Sequence, residues 1–189
     1  VPLVRATVRC DGRGAAAVVR QERFLASGAP DPAAAWSIPL CVRAGAGARV
    51  ETACGLVGGD GREGELPLPF CPEWLWPNAG GTGYQLTALD PAALPGLWPH
   101  LAPAERLGLA TDASLLARRG DLPPEAALGL VAPLAASEDG LQVEASLELA
   151  RLAQPEWLAA DDHARWRAFA RGTWGPRART IGWMPRRGE

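Results

Sequence analysis

The chain contains no Lys, so all 19 of its basic side chains are Arg, set against 21 Asp and Glu for a net charge of -2. That near-balance excludes a general electrostatic attraction to nucleic acid or to anionic lipid. His, Met and Tyr are also scarce, with 2, 1 and 1 in 189 residues. None of the 4 cysteines forms a C-x-x-C pair and none has a His nearby, which argues against a zinc knuckle. The most apolar window, 126–136, falls well short of the roughly 20 residues that a membrane-spanning helix needs. No secretory leader opens the chain; Val1-Pro2-Leu3-Val4 already reads as strand, which suggests a piece of something longer.

What is present is 48% hydrophobic residue content, 8 Trp, 22 Gly and 18 Pro, enough apolar surface for a real core with frequent turns. In the first half the pattern has period two. Val4, Ala6, Val8 and Cys10 alternate with Arg5, Thr7 and Arg9, as in a half-buried strand, and Asp11-Gly12-Arg13-Gly14 is a turn. A return strand is expected over 17–25, then a loop at 28–32. Trp36, Ile38, Leu40 and Val42 share a face of a third strand, where Pro39 implies an edge or a bulge. Val50, Thr52, Cys54 and Leu56 share a face of a fourth, and Leu66, Leu68 and Phe70 of a fifth. Trp74 and Trp76 read as exposed strand aromatics before the Pro77–Gly83 bend, and a last strand is expected over 84–89. Short strands at this spacing indicate an antiparallel β-sandwich.

From Pro103 the period becomes helical. Pro103 suits the first helical position, Glu105 complements the positive helix start, and Leu109, Ala113, Leu116 and Ala117 share a face that Gly120 closes. A second helix is expected over 123–137, kinked or ended early by Pro133. A third has Leu141, Leu147 and Leu152 inward, and a fourth starts at Pro155 with Trp157, Trp166 and Phe169. The stretch 171–189 reads as an irregular Arg-rich tail. Short connections imply antiparallel helix pairs, the start of a solenoid. The fold class is thus a sandwich over 1–97 followed by a helical part over 98–189.

Candidate chemistry is thin. His100 lies in the linker between the two parts. Asp161, Asp162 and His163 point in different directions on a helix start and make a poor ligand set. Gly80-Gly81-Thr82-Gly83 lacks the Lys and the following helix of a phosphate loop. Trp74 and Trp76 are read as cover for the face where the helical part docks, with a sugar or peptide platform as the rival. Arg171, Arg177, Arg179, Arg186 and Arg187 read as solvated surface. No Ser/His/Asp or Cys/His arrangement is apparent, so no catalytic, cofactor or metal residue is assigned. Cys10, Cys41, Cys54 and Cys71 leave two readings open, buried thiols or disulfides. The favoured pair is Cys54 with Cys71, folded together by the turn at 58–61; that bridge would imply an exported protein, its absence a cytoplasmic one.

Several segments, taken in order, resemble one family. They are Val1-Pro2-Leu3-Val4, Gln21-Glu22-Arg23-Phe24-Leu25, Trp36-Ser37-Ile38-Pro39-Leu40, Pro77-Asn78-Ala79-Gly80-Gly81-Thr82-Gly83-Tyr84, Ala104-Glu105-Arg106-Leu107 with Asp112 and Gly120, and Ile181-Gly182-Trp183-Met184-Pro185. The series resembles the region downstream of the catalytic domain in alanyl/puromycin-sensitive zinc aminopeptidases. Gln85 and Leu86 stand where that family commonly has an aromatic and an Arg, and Ala113 and Ser114 where its helix usually has a Trp. The resemblance implies a spacer sandwich and the first helices of a HEAT-like domain. It places zinc, its H-E-x-x-H helix and the Gly-x-Met-Glu-Asn strand upstream, since neither motif occurs here.

The expectation is therefore a non-catalytic part of a zinc aminopeptidase acting on peptides. Its partner would be the rest of the parent polypeptide, with no nucleic acid, and exposed helix faces would favour self-association. The rivals are a free-standing carbohydrate- or peptide-binding module and a structural adaptor.

Overall fold

The computed structural model describes residues 1–25, 29, 35–59 and 61–182. The expected loop at 28–32 falls largely outside these residues. So do Asp60 of the 58–61 turn and, at the C-terminal end, Trp183, Met184, Pro185, Arg186 and Arg187.

Among the described residues seven strands form two sheets. Strands β1 (Pro2–Asp11), β2 (Gly14–Arg23), β5 (Glu63–Leu68) and β7 (Leu86–Thr87) make one, in the order β5-β2-β1-β7. Strands β3 (Ser37–Ala46), β4 (Arg49–Gly58) and β6 (Trp74–Trp76) make the other, in the order β4-β3-β6. The β1–β2 turn is fixed by Asp11, whose Oδ1 accepts the Arg13 N–H at 2.8 Å, a self-closing turn that Asp favours. Val4, Ala17, Val19, Leu66 and Leu68 of the first sheet share one buried cluster with Ile38, Leu40, Val42 and Val57 of the second. Gln21 pins the sheets further: it accepts the Trp36 N–H at 2.9 Å and donates to the Trp36 carbonyl at 2.7 Å.

Several expectations need correction. The first sheet is not wholly antiparallel, because β7 runs parallel to β1, pairing Leu3 with Leu86 and Val4 with Thr87. The last strand spans only these two residues, and Tyr84 is 84% exposed. Val50, Thr52, Cys54 and Leu56 do share a face, but an outward one; β4 turns Val57 to the core. Pro39 does lie along an edge, since β6 covers only Arg43, Ala44 and Gly45 of β3. Trp76 is 1% exposed rather than a surface aromatic.

The favoured pairing Cys54–Cys71 is replaced by two other disulfides, Cys10–Cys71 and Cys41–Cys54. The reason is register. Cys41 and Cys54 are direct partners in the β3–β4 ladder, with Cα atoms 4.1 Å apart, so their side chains meet on one face. The glycines after β4 do not fold a hairpin. Gly58 and Gly59, at φ 84° and 102°, carry the chain to the other sheet, where β5 pairs with β2.

Six α-helices follow among the described residues: α1 (Leu94–Leu97), α2 (Pro103–Arg119), α3 (Pro124–Leu128), α4 (Val131–Ala135), α5 (Gly140–Ala150) and α6 (His163–Ile181). Helix α2 begins at Pro103 and ends on Gly120 at φ 90°, as read from sequence. The expected second helix is two pieces. Pro133 cannot donate to the Gly129 carbonyl and its ring crowds that group, so the helix breaks there. Of the expected inward residues Leu152 packs against the core, but in α5 Leu141 and Leu147 are 61% and 48% exposed, while Gln142, Ser146 and Leu149 are buried. The fourth helix starts at His163, after 3-10 turns at Pro155–Trp157 and Ala160–Asp162, and remains helical through Arg171–Ile181, where an irregular tail was expected. A second cluster joins Leu3, Trp76 and Leu86 of the sheets to Leu109, Leu116, Leu134 and Leu149 of the helices, so one apolar core crosses from strands to helices.

Candidate functional site: the seam along helix α2

Helix α2 carries three polar side chains seven residues apart: Glu105, Asp112 and Arg119. Two helical turns separate each from the next, which keeps them on nearly one face, interleaved with Leu109 and Leu116. Each one reaches the strand part of the molecule.

Glu105 sits in the first turn of α2 and is 1% exposed. Its Oε2 accepts the Ala102 N–H at 2.7 Å, the glutamate half of a capping box; Ala102 has no side-chain oxygen to supply the other half. Its Oε1 accepts the Gly80 N–H at 2.9 Å. Arg43 of β3 donates from Nη2 to Glu105 Oε2 and to the His100 carbonyl. Two backbone donors and one guanidinium thus meet one buried carboxylate, the condition under which a buried charge is tolerable. The Arg43 guanidinium lies 5.7 Å from the Trp74 ring centre, and Trp74 stacks on His100 at 4.5 Å.

The Pro77–Gly83 bend is shaped to this purpose. Gly80 is at φ 69°, a region that side chains other than Gly rarely occupy, and this turns its N–H toward Glu105. Asn78 Oδ1 accepts the Gly83 N–H at 2.8 Å, and Trp76 Nε1 donates to the Asn78 carbonyl at 2.8 Å. Gly45 is required on the opposite side, because a Cβ there would meet the Trp74 ring at 2.5 Å.

Asp112 accepts the Thr87 N–H of β7 at 2.9 Å. Burial pushes its carboxyl up to about 7, against the opposing pull of that N–H. Arg119 closes the seam: Nη2 pairs with Glu22 of β2 at 3.1 Å, it also pairs with Asp121, and its guanidinium lies 4.5 Å from the Phe24 ring centre.

The structure brings together Glu105, His100, Trp74 and the glycine bend, which the sequence reading treated separately. It does not bring His163 to His100, and among the described residues no group of three or more His, Cys, Asp or Glu is placed to hold a metal ion. A zinc site does not fit these donors: all 4 cysteines are in disulfides and the His100 ring is stacked on Trp74. Trp74 stacks on His100 and Trp76 lies in the core. Arg177 is not merely solvated, as it donates to the Ser137 and Glu138 carbonyls. The seam itself was missed; the seven-residue spacing of Glu105, Asp112 and Arg119 was the available signal.

The seam ties helix α2 to β2, β3, β7 and the glycine bend. Residues 74–189, more than half of the chain, match the ERAP1-like C-terminal domain, and the chain belongs to that family. It is also similar to the puromycin-sensitive aminopeptidase of Caenorhabditis elegans, at 27% identity over 125 residues, which cover 63% of this chain. That alignment spans 13% of the relative's length.

Proposed function

We propose that this chain is a scaffolding portion of a zinc aminopeptidase. In this reading residues 1–97 form a β-sandwich spacer, and residues 98–189 begin a HEAT-like array of antiparallel helix pairs. Zinc and the peptide-cleaving groups belong to another part of the parent polypeptide, which is the chain's natural partner. The match of residues 74–189 to the ERAP1-like C-terminal domain carries the reading. The seam supports the spacer role, because a buried carboxylate bound from a strand, a loop and a helix start resists hinge motion. The two disulfides favour an exported, oxidising setting. Leu141 and Trp157, 61% and 66% exposed, favour further covering of the helical part, by the parent or by self-association.

The test uses the purified, metal-checked chain with added zinc and an alanyl anilide. It should release no chromophore above buffer, whereas hydrolysis that co-purifies with the chain would sink the scaffolding reading. Light scattering on the same sample should report species larger than a monomer. In the parent enzyme, Glu105→Ala should lower peptide turnover while leaving zinc content unchanged.

A further inference from the structure

A strand edge in the first sheet is left half covered. Strand β7 pairs only with Leu3 and Val4 of β1, and the chain then turns away toward α1. The Val4 carbonyl accepts the Ala88 N–H at 2.8 Å, so the backbone groups of Val4 face the β7 side. The two backbone polar groups of a strand residue face the same side, and alternate residues repeat it. The β1–β2 ladder runs unbroken from Pro2 to Asp11. Ala6 and Val8 therefore present their N–H and C=O groups to that same side, where no backbone partner meets them among the described residues.

These groups open into a cleft of about 830 Å³ whose far wall is β6, itself an edge strand. The Cys10–Cys71 bridge ties the two walls together beyond Val8. The cleft is thus a slot between two strand edges, with one side of β1 waiting for a ladder partner.

We propose that this slot takes an extended segment of a partner polypeptide, added as a strand beside Ala6 and Val8 and continuing the place that β7 leaves. Edge pairing of this kind draws affinity from the main chain and specificity from alternate side chains. The side-chain requirements follow from β1. Ala6 packs toward the core between the sheets, so one face of the added strand meets apolar surface. On the other face Arg5 is exposed, lies directly opposite Arg20 in the ladder, and makes no ion pair among the described residues, whereas Arg20 pairs with Glu63 at 2.9 Å. Like charges opposite one another are unfavourable; Ala88 already sits beside Arg5, so a carboxylate beside Thr7, diagonal to Arg5 and within reach of its long side chain, relieves this. The acids that line the cleft are already engaged: Asp90 accepts the Ala92 N–H, Glu73 the Gly47 N–H, and Asp121 pairs with Arg119. The partner is therefore a segment of alternating apolar and acidic residues. This inference does not rest on the aminopeptidase reading.

The experiment uses the 189-residue chain and a short fluorescein-labelled peptide of alternating Val and Glu, followed by anisotropy and by amide hydrogen exchange. Saturable binding at up to millimolar peptide is expected, with slowed exchange at the Ala6 and Val8 amides. Val8→Pro removes one donor facing the slot and none of the β1–β2 bonds, and should weaken binding about tenfold. Arg5→Glu should also weaken it about tenfold and transfer the preference to a peptide of alternating Val and Arg. Should Val8→Pro fail to fold, as judged by circular dichroism, the Arg5→Glu preference switch decides alone. No saturation at millimolar peptide, binding without protection of the Ala6 and Val8 amides, or an unchanged preference in Arg5→Glu would overturn the proposal.

Discussion

Helices α2 and α6 are similar in length, 17 and 19 residues, yet they relate to the molecule in opposite ways. Helix α2 buries Glu105, Leu109, Ala113 and Leu116 and touches the strands at three points along its length. Helix α6 has no fully buried residue. It is held by a Trp174 Nε1–H donated to Ser146 Oγ at 2.9 Å, by Arg177 on two carbonyls, and by loose packing of Trp166, Phe169 and Trp174. The difference teaches that neither length nor aromatic content decides which helix becomes framework; α2 is set apart by its buried Leu and Ala row and by polar side chains that reach the strands. Local stability should follow the same division, with α2 opening only when the whole chain unfolds and α6 opening alone.

The largest test of this contrast is Glu105→Ala. It strands the Arg43 guanidinium and the Gly80 and Ala102 N–H groups in a buried site. A cost of about 3–5 kcal/mol is expected in urea denaturation. Arg165→Ala on α6 removes an exposed pair with Asp162 at 3.3 Å and should change stability by less than about 0.5 kcal/mol. Equal costs would erase the distinction between the two helices.

Asp112 sharpens the contrast through pH. Its folded carboxyl titrates near 7 and its unfolded one near 3.8, so the native state holds a proton that the unfolded chain releases. Stability then falls as pH rises from about 4 to about 7 and levels off above that, with an upper bound of about 4 kcal/mol. Asp112→Asn keeps an acceptor for the Thr87 N–H and removes the charge. Its thermal midpoint should be flatter across that window than the parent chain's and higher at mildly alkaline pH. A variant that tracks the parent at every pH would show that Asp112 is not the titrating group.

On α6 the expected effects are smaller. Trp174→Phe keeps a ring but deletes the bond to Ser146, at a cost of about 1 kcal/mol. Hydrogen exchange should register the loss in α6 amides and leave α2 amides unchanged.

How much of this was legible in the residues divides along physical lines. Strands β1, β3, β4 and β5 showed as alternation, and the ends of α2 showed as Pro103 and Gly120, because these signals are local. The disulfide pairing did not show, since it depends on which strands become neighbours, and the glycines at 58 and 59 switch sheets instead of making a hairpin. The buried face of α5 was misread because Ser146 is needed inside by Trp174, leaving Leu141 and Leu147 outside. Glu105 read as a helix-start charge and Asp112 only as one residue of a family resemblance; their partners on Gly80, Arg43 and Thr87 are distant in sequence.

The last and smallest global effect concerns Pro176, which lies inside α6 next to Gly175 and after Gly172. A proline there removes a helix donor and a glycine adds backbone entropy, so this segment is a weak point in an already peripheral helix. Pro176→Ala restores the donor to the Gly172 carbonyl. If α6 opens alone, the substitution should slow exchange along α6 and leave the urea midpoint of the whole chain unmoved. A rise in that midpoint equivalent to more than about 1 kcal/mol of stability would mean that α6 unfolds together with α2, and that its exposed surface conceals a structural role as central as the seam's.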